Sequence, residues 1–365
     1  MNMKTIFTFV FALVNATVAF SQSYQSPESI EFDYANNRWF IANNGGNNIL
    51  TRSSETGALS IFAPNGFAGG GPHGLEIVED TLYACAGASL RAYNINTGAL
   101  VFTTNLGATF LNGITHDTSG NLYITDFSGN KIFRFNTKTR KYNTFVSGGI
   151  TSPNGIIYDR ENNRCVFVQW TGAIRAVSLV DSSVSTLVAS TGLSSIDGIA
   201  RDGTGNYYLS SWSPTRITRY TNDFTTATTA VGTGMGLSNP ADIFYNVLTD
   251  TLGVPNSGSG NNTTYYYFGA PTSVNNLVRD EFAFSVTPNP VSGNSEIRYQ
   301  MVREGNVQID ILDSSRKKVK TLISENQAKG SHAINFQKSN LPAGLYFITI
   351  TNGKNTATTK VVVTD

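Results

Sequence analysis

The chain has 365 residues, of which only 14% are charged and 40% hydrophobic. A charged share so far below the roughly 25% of an average soluble protein excludes a disordered or coiled-coil chain, and the length leaves room for about two or three domains. Twenty-six Lys and Arg against 25 Asp and Glu leave a net charge of +1, which gives no electrostatic case for a nucleic-acid or anionic-membrane partner.

The first element in chain order is a secretory leader. Lys4 supplies a positive start, Ile6 to Val14 an apolar stretch, and Ala19-Phe20-Ser21 a small-x-small cleavage site, so residues 1–21 read as a signal peptide. No other stretch is long and apolar enough to span a bilayer of about 30 Å, and no transmembrane segment is expected. Cys85 and Cys165 are the two cysteines; they fall in different repeats, too far apart for a bridge of about 5.5 Å between Cα atoms, and read as two buried thiols.

From Pro27 onward the sequence repeats. Six segments align: Pro27-Glu28-Ser29-Ile30, Pro72-His73-Gly74-Leu75, Leu111-Asn112-Gly113-Ile114, Pro153-Asn154-Gly155-Ile156, Ile196-Asp197-Gly198-Ile199 and Pro240-Ala241-Asp242-Ile243, at spacings of 45, 39, 42, 43 and 44 residues. That is the length of a propeller repeat. The third unit shows the internal order best: Gly113 to Asp117, Leu122 to Asp126, Lys131 to Phe135 and Tyr142 to Phe145 read as four short strands, separated by Gly, Asn and Asp turns. A lone four-stranded sheet cannot cover both its faces, whereas six packed around an axis share a continuous core. The expectation is an all-β chain, a six-bladed β-propeller over residues 22–277. Its sixth unit offers three strands, so either Gln22 to Gln25 or a segment near Val274 to Val278 has to complete it.

Asn-Pro punctuation at Asn289-Pro290 marks a boundary. Val307 to Leu312, Lys318 to Ile323, His332 to Phe336, Gly344 to Ile350 and Thr359 to Val363 read as further strands, and residues 278–365 as a small C-terminal β-sandwich.

Two resemblances rest on these residues. Residues 26–269 resemble propellers of the NHL and SMP-30/gluconolactonase-like superfamily; Asn112 to Asp117, Asn121 to Asp126 and Asn130-Lys131-Ile132 are similar to an NHL repeat. Thr287-Pro288-Asn289-Pro290, Val307 to Asp313, Leu341 to Phe347 and Lys360 to Val363 resemble the C-terminal sorting domain of type IX secretion. The second resemblance implies export to the cell surface or outside, with residues 284–365 engaging the secretion machinery.

A propeller sets equivalent residues from successive blades in a ring at the channel mouth, here Glu28, His73, Asn112, Asn154, Asp197 and Ala241. Converging Glu, Asn and Asp oxygens suit a hard divalent cation. The gluconolactonase-like resemblance implies that Glu28, Asn154 and Asp197 hold that metal, Ca²⁺ above other cations, with Asn112 near metal and ligand and Asp197 handling a proton. Asn-Gly and Asp-Gly are also preferred turn residues, so Asn112, Asn154 and Asp197 are equally open to a backbone reading. Glu28 has no such turn preference and discriminates between the two. His73 reads either as a ligand-binding proton shuttle or as a hydrogen-bonded structural histidine, Asp126 as an acceptor of turn N–H groups, and Trp170 and Trp212 as blade packing or a ligand face. Phe110 stands where the resembled family often has Arg, which removes a donor for a polar sugar. Two functions follow: a propeller that binds a ligand or partner at its loop face around a divalent cation, or a metal-dependent lactone or ester hydrolase.

Overall fold

The computed structural model describes residues 22–268 and 284–364, apart from residues 65, 68, 69, 248, 288–290, 302, 303, 314–316, 339, 340, 353 and 354. The expected signal peptide and the segment Val274 to Val278 lie outside the described residues.

Every regular element described is a strand. Between Pro27 and Tyr267 the strands form five antiparallel four-stranded sheets and one three-stranded sheet, each a run of consecutive strands. The third is Leu111–His116, Asn121–Asp126, Lys131–Asn136 and Tyr142–Ser147, the four strands read from the sequence. Its turns use left-handed residues, Gly120 at φ 78° and Asn130 at φ 54°, which is why Gly and Asn punctuate the repeat.

The first strands of the six sheets touch in succession, and that of the sixth touches that of the first, closing a cycle. The closure is a parallel bridge between Ser29 and Asp242, in which Asp242 N–H donates to the Glu28 carbonyl at 2.9 Å and the Ser29 hydroxyl to Asp242 Oδ2 at 2.9 Å. Each pair of adjacent sheets shares its own apolar cluster. Cys85, Leu90 and Ala92 of unit two meet Leu111, Leu122, Ile124 and Phe135 of unit three, while Tyr123 and Ile132 of unit three meet Cys165, Phe167 and Val177 of unit four. Burying each large side chain of this kind contributes about 1.5–3 kcal/mol, so the hydrophobic stabilisation is spread around the cycle. Both cysteines are free and buried, one in each of those clusters.

The sixth sheet has three strands, Phe244–Asn246, Thr251–Asn256 and Asn262–Tyr267. Gln22 to Gln25 adds no strand to it. Asn43 Oδ1 takes the Gln25 N–H at 2.6 Å and Gly45 N–H donates to the Gln25 carbonyl at 2.9 Å, while Thr263 Oγ1 of the sixth sheet donates to the Tyr24 hydroxyl at 3.0 Å, so the segment joins units one and six without forming a strand of either.

In the C-terminal region Phe284–Thr287, Asn294–Met301 and Gly330–Gln337 form one sheet, and Gly305–Leu312, Lys318–Gln327, Gly344–Asn352 and Asn355–Val363 another. One apolar cluster, with Ile297, Tyr299 and Phe336 from the first sheet and Ile309, Ile311, Ile348 and Ile350 from the second, joins the two. The strand Asn294–Met301 is not among those read from the sequence, although Ile297, Tyr299 and Met301 alternate with Glu296, Arg298 and Gln300 in the period-two pattern of a strand.

Candidate functional site

Four of the six ring residues sit on β-bulges. Pairing between the first and second strands shifts register between Pro27 and Ser29, across Asn112-Gly113, between Pro153 and Ile156, and between Ile196 and Ile199. A bulge opposes two residues to one, bends the strand and re-aims a side chain, so Glu28, Asn112, Asn154 and Asp197 leave the alternation that buries their neighbours. The glycines after His73, Asn112, Asn154 and Asp197 are not turn glycines. A Cβ on Gly74 would meet the Asn112 carbonyl oxygen at 2.2 Å, on Gly113 that of Asn154 at 2.5 Å, on Gly155 that of Asp197 at 2.7 Å, and on Gly198 the Ile243 nitrogen at 2.6 Å. Glycine here permits each first strand to lie against the next, and the turn reading of Asn-Gly and Asp-Gly gives way to one of close strand approach.

Two hydroxyls overlooked in the sequence knit these bulges across units. Thr125 Oγ1 accepts the Gly113 N–H at 2.8 Å and donates to the Asn154 carbonyl at 2.9 Å; Ser210 Oγ accepts the Gly198 N–H at 2.7 Å and donates to the Ala241 carbonyl at 2.7 Å. Each faces its bulge on the second strand, a position that the repeat alignment would have flagged.

Asn154 and Asp197 come together. Asn154 Nδ2 donates to Asp197 Oδ1 at 3.1 Å and to the Ile196 carbonyl at 3.3 Å, while Asn154 Oδ1 is buried without a partner. Burial, then the charges of Glu28 and Asp242, hold the Asp197 carboxyl well above the usual range against the hydrogen bonds of Asn154 and Trp212. Glu28 is pushed up to about 7 by burial and by Asp242. Asp242 is pushed up to about 7 by burial and by Glu76, opposed by Ser29 and the Ile243 N–H. Glu28, Asn154 and Asp197 therefore share one electrostatic site, to which unit six adds Asp242, a carboxylate not singled out from the sequence.

Two carboxylates and an amide oxygen without a partner fit a hard divalent cation by donor chemistry. Among the described residues no group of three or more His, Cys, Asp or Glu is arranged to hold a metal, so such a site depends on the Asn154 oxygen.

His73 is buried, with Nε2 3.2 Å from Asn44 Nδ2 and Nδ1 unpartnered. The Asn44 amide donates to Nε2, which leaves the imidazole proton on Nδ1. Burial lowers its pKa to about 4, so His73 presents a neutral ring near neutrality. Asn112 is half-buried, and its carbonyl accepts the Gly74 N–H at 3.0 Å. Asp126 accepts backbone N–H groups from Phe110 at 2.8 Å, Gly129 at 3.0 Å and Thr109, the turn role read from the sequence. His116 pairs through Nδ1 with Glu76 Oε1 at 2.7 Å.

Phe110 packs its ring against His73 with centroids 4.6 Å apart, and a line of edge-to-face contacts continues to Phe127, Trp170 and Trp212. Trp170 and Trp212 thus pack between units, and both remain partly exposed. Phe127 occupies the place in unit three that these tryptophans hold in units four and five, a correspondence legible in the repeat.

The family model described as "Secretion system C-terminal sorting domain" matches residues 285–364. Those residues are a secretion sorting domain. The protein is exported by type IX secretion to the cell surface or outside, and no described helix is long and apolar enough to cross a membrane. No curated protein matches the sequence. Solved structures similar to the chain include a protein of unknown function from Bacteroides thetaiotaomicron, 15% identical with a TM-score of 0.56 over 68% of this chain and 70% of that one. Another is a calcium-binding protein, regucalcin, from Agrobacterium tumefaciens, at 15% identity and TM-score 0.53 over 65% and 83%. A third is a catalytically inactive virginiamycin B lyase from Staphylococcus aureus with quinupristin, at 15% and 0.51 over 77% and 94%. These likenesses support a propeller fold without singling out the NHL kind.

Proposed function

We propose that residues 22–277 are a six-bladed β-propeller and residues 278–365 a β-sandwich that takes it through the secretion machinery, and that the propeller binds a ligand at its channel mouth around a divalent cation, Ca²⁺ above others. Glu28, Asn154 and Asp197 supply the oxygens, with Asn112 and His73 alongside. The observation that carries the reading is the buried Asn154 Oδ1, without a partner and on the amide that bonds Asp197. A buried carbonyl oxygen left unpaired costs about 1–3 kcal/mol; next to two carboxylates that repel one another, a cation removes both penalties. That one structural neighbour is a calcium-binding protein agrees with this.

The test is the melting temperature of residues 22–365 in EDTA and in millimolar Ca²⁺, Mg²⁺ or Mn²⁺. A cation at about 100 times its Kd adds roughly 2.7 kcal/mol, a rise on the order of 5–11 °C for a domain of this size. Asp197→Ala and Glu28→Gln should both abolish it. No rise in the parent protein refutes the cation site.

Hydrolysis of a lactone or ester is the second reading, favoured by the buried Asp197 carboxyl, whose Oδ1 accepts from Asn154 Nδ2 at 3.1 Å beside the unpartnered Asn154 oxygen. A divalent cation polarises a carbonyl and acidifies bound water; Asp197 would hold the proton, with His73 alongside as a neutral ring. Lactone and ester turnover dependent on both the protein and Ca²⁺, and lost in Asp197→Ala, distinguishes this reading from binding alone.

A further inference from the structure

Four aromatic side chains form a staircase along half of the mouth. Phe110 to Phe127, Phe127 to Trp170 and Trp170 to Trp212 have ring centroids 6.0, 5.8 and 5.0 Å apart, with planes at 89°, 85° and 77°. Backbone contacts fix the row to the ring residues: Phe127 N–H donates to the Phe110 carbonyl at 2.8 Å, Trp170 N–H to that of Ser152 at 3.0 Å, and Ser195 N–H to that of Trp170 at 2.8 Å. Phe110, Ser152 and Ser195 each stand two residues before Asn112, Asn154 and Asp197. The Trp212 indole N–H donates to the Pro240 carbonyl at 3.1 Å, just before the sixth ring position.

All four rings remain partly exposed, whereas Tyr123, Phe135, Phe167 and Tyr207 of the same units are fully buried in the inter-sheet clusters. Cohesion between sheets is met by those buried rings and does not require an exposed row. The positions equivalent to Phe127, Trp170 and Trp212 in units one, two and six are Asn44, Gly87 and Ser257, so the aromatic row is confined to units three to five.

We infer that the mouth takes a ligand bearing an aromatic ring, uncharged or cationic, whose ring continues the staircase while its polar end meets Glu28, Asn154 and Asp197. The inference rests on the mouth being a ligand site and names the class of that ligand. Edge-to-face and offset contacts between rings are the preferred aromatic geometries, and a cationic substituent gains from both the ring faces and the carboxylates. The ring positions Glu28, His73, Asn112, Asn154, Asp197 and Ala241 include two acidic residues and no Lys or Arg, so none of them offers a fixed cation to pair with an anion. A polyhydroxylated saturated ring fits less well, because it has no π-face or ring edge to continue the edge-to-face row.

Intrinsic fluorescence reads this site directly. The protein has three tryptophans; Trp170 and Trp212 stand in the staircase, and Trp39 is buried in the cluster between units one and six. Residues 22–365, and the same chain with Trp39→Phe, are titrated with p-cresol, tyramine, benzoate and glucose, each in EDTA and in Ca²⁺. A saturable change is expected with p-cresol and tyramine in EDTA and none with glucose or benzoate. Phe127→Ala and Phe127→Leu should each weaken it by about tenfold, the leucine variant keeping apolar bulk without a ring. The Ca²⁺ melting response should persist in both, so aromatic binding without a Ca²⁺ response refutes the cation site and leaves the staircase standing. Failure of p-cresol and tyramine to give a saturable change, an equal response to glucose, or unaltered binding in Phe127→Leu overturns the inference.

Discussion

Replacing Gly155 by Ala tests the packing that assembles the mouth. The new Cβ would lie 2.7 Å from the Asp197 carbonyl oxygen, 2.8 Å from Gly198 Cα and 2.8 Å from the Ile199 nitrogen. All three neighbours are backbone atoms of unit five, so no side chain can turn aside; the two first strands must separate by several tenths of an ångström. Overpacking of this kind costs about 1–3 kcal/mol, offset by about 0.4–1 kcal/mol from the stiffer unfolded chain. The expected net loss is roughly 1–2 kcal/mol, a fall in melting temperature of about 2–8 °C for a domain of this size. The same separation moves Asn154 away from Asp197, so the Ca²⁺-induced rise should shrink as well. Gly232→Ala is the control, since no atom lies within 4 Å of its Cβ and its φ is ordinary; it should be neutral or slightly stabilising. Calorimetry in EDTA and in Ca²⁺ reads both quantities. If Gly155→Ala melts no lower than the parent while Gly232→Ala behaves as stated, strand approach is not what requires glycine after His73, Asn112, Asn154 and Asp197.

Other consequences concern protons, thiols and export. Folded Asp242 keeps its proton up to about pH 7 against an ordinary value of 3.8, so its stabilising contribution is present below about pH 4 and lost as pH rises through 7. In EDTA, Asp242→Asn should therefore gain stability over the parent at pH 8 relative to pH 4, by on the order of 1–4 kcal/mol, and equal stability differences at the two pH values would contradict this. His73 runs the other way: with its folded pKa lowered from 6.5 to about 4, its contribution is present above 6.5 and lost as pH falls toward 4. His73→Gln should remove up to about 3 kcal/mol of that acid sensitivity, read as the difference between the two proteins in urea denaturation at pH 7 and pH 4. Cys85 and Cys165 are buried, with burial raising both thiol pKa values, so alkylation should label neither in the native protein and both after denaturation, by mass spectrometry. Deleting residues 285–364 should abolish appearance of the protein outside the cell, measured by fractionation.

The repeat was legible in the sequence because each unit must solve the same problem: four strands alternate polarity, turn on Gly and Asn, and bury their faces only against copies of themselves. Strand positions in unit three, the buried thiols and the turn role of Asp126 follow from such local rules, as does the row of equivalent ring positions. The sorting module was legible because its motifs recur in order along the chain. Local rules could not decide what the ring residues do together. A glycine after Asn or Asp means a turn in isolation; that it means two backbones in contact here follows only once unit four lies against unit five. The unpartnered oxygen of Asn154 beside Asp197, the mutual repulsion of Glu28, Asp197 and Asp242, and the aromatic line from Phe110 to Trp212 are relations between different units, set from about 40 to more than 200 residues apart in sequence. Cyclic closure alone brings Asp242 against Ser29 and Glu28, because burial and Coulomb interactions act through space and not along the chain.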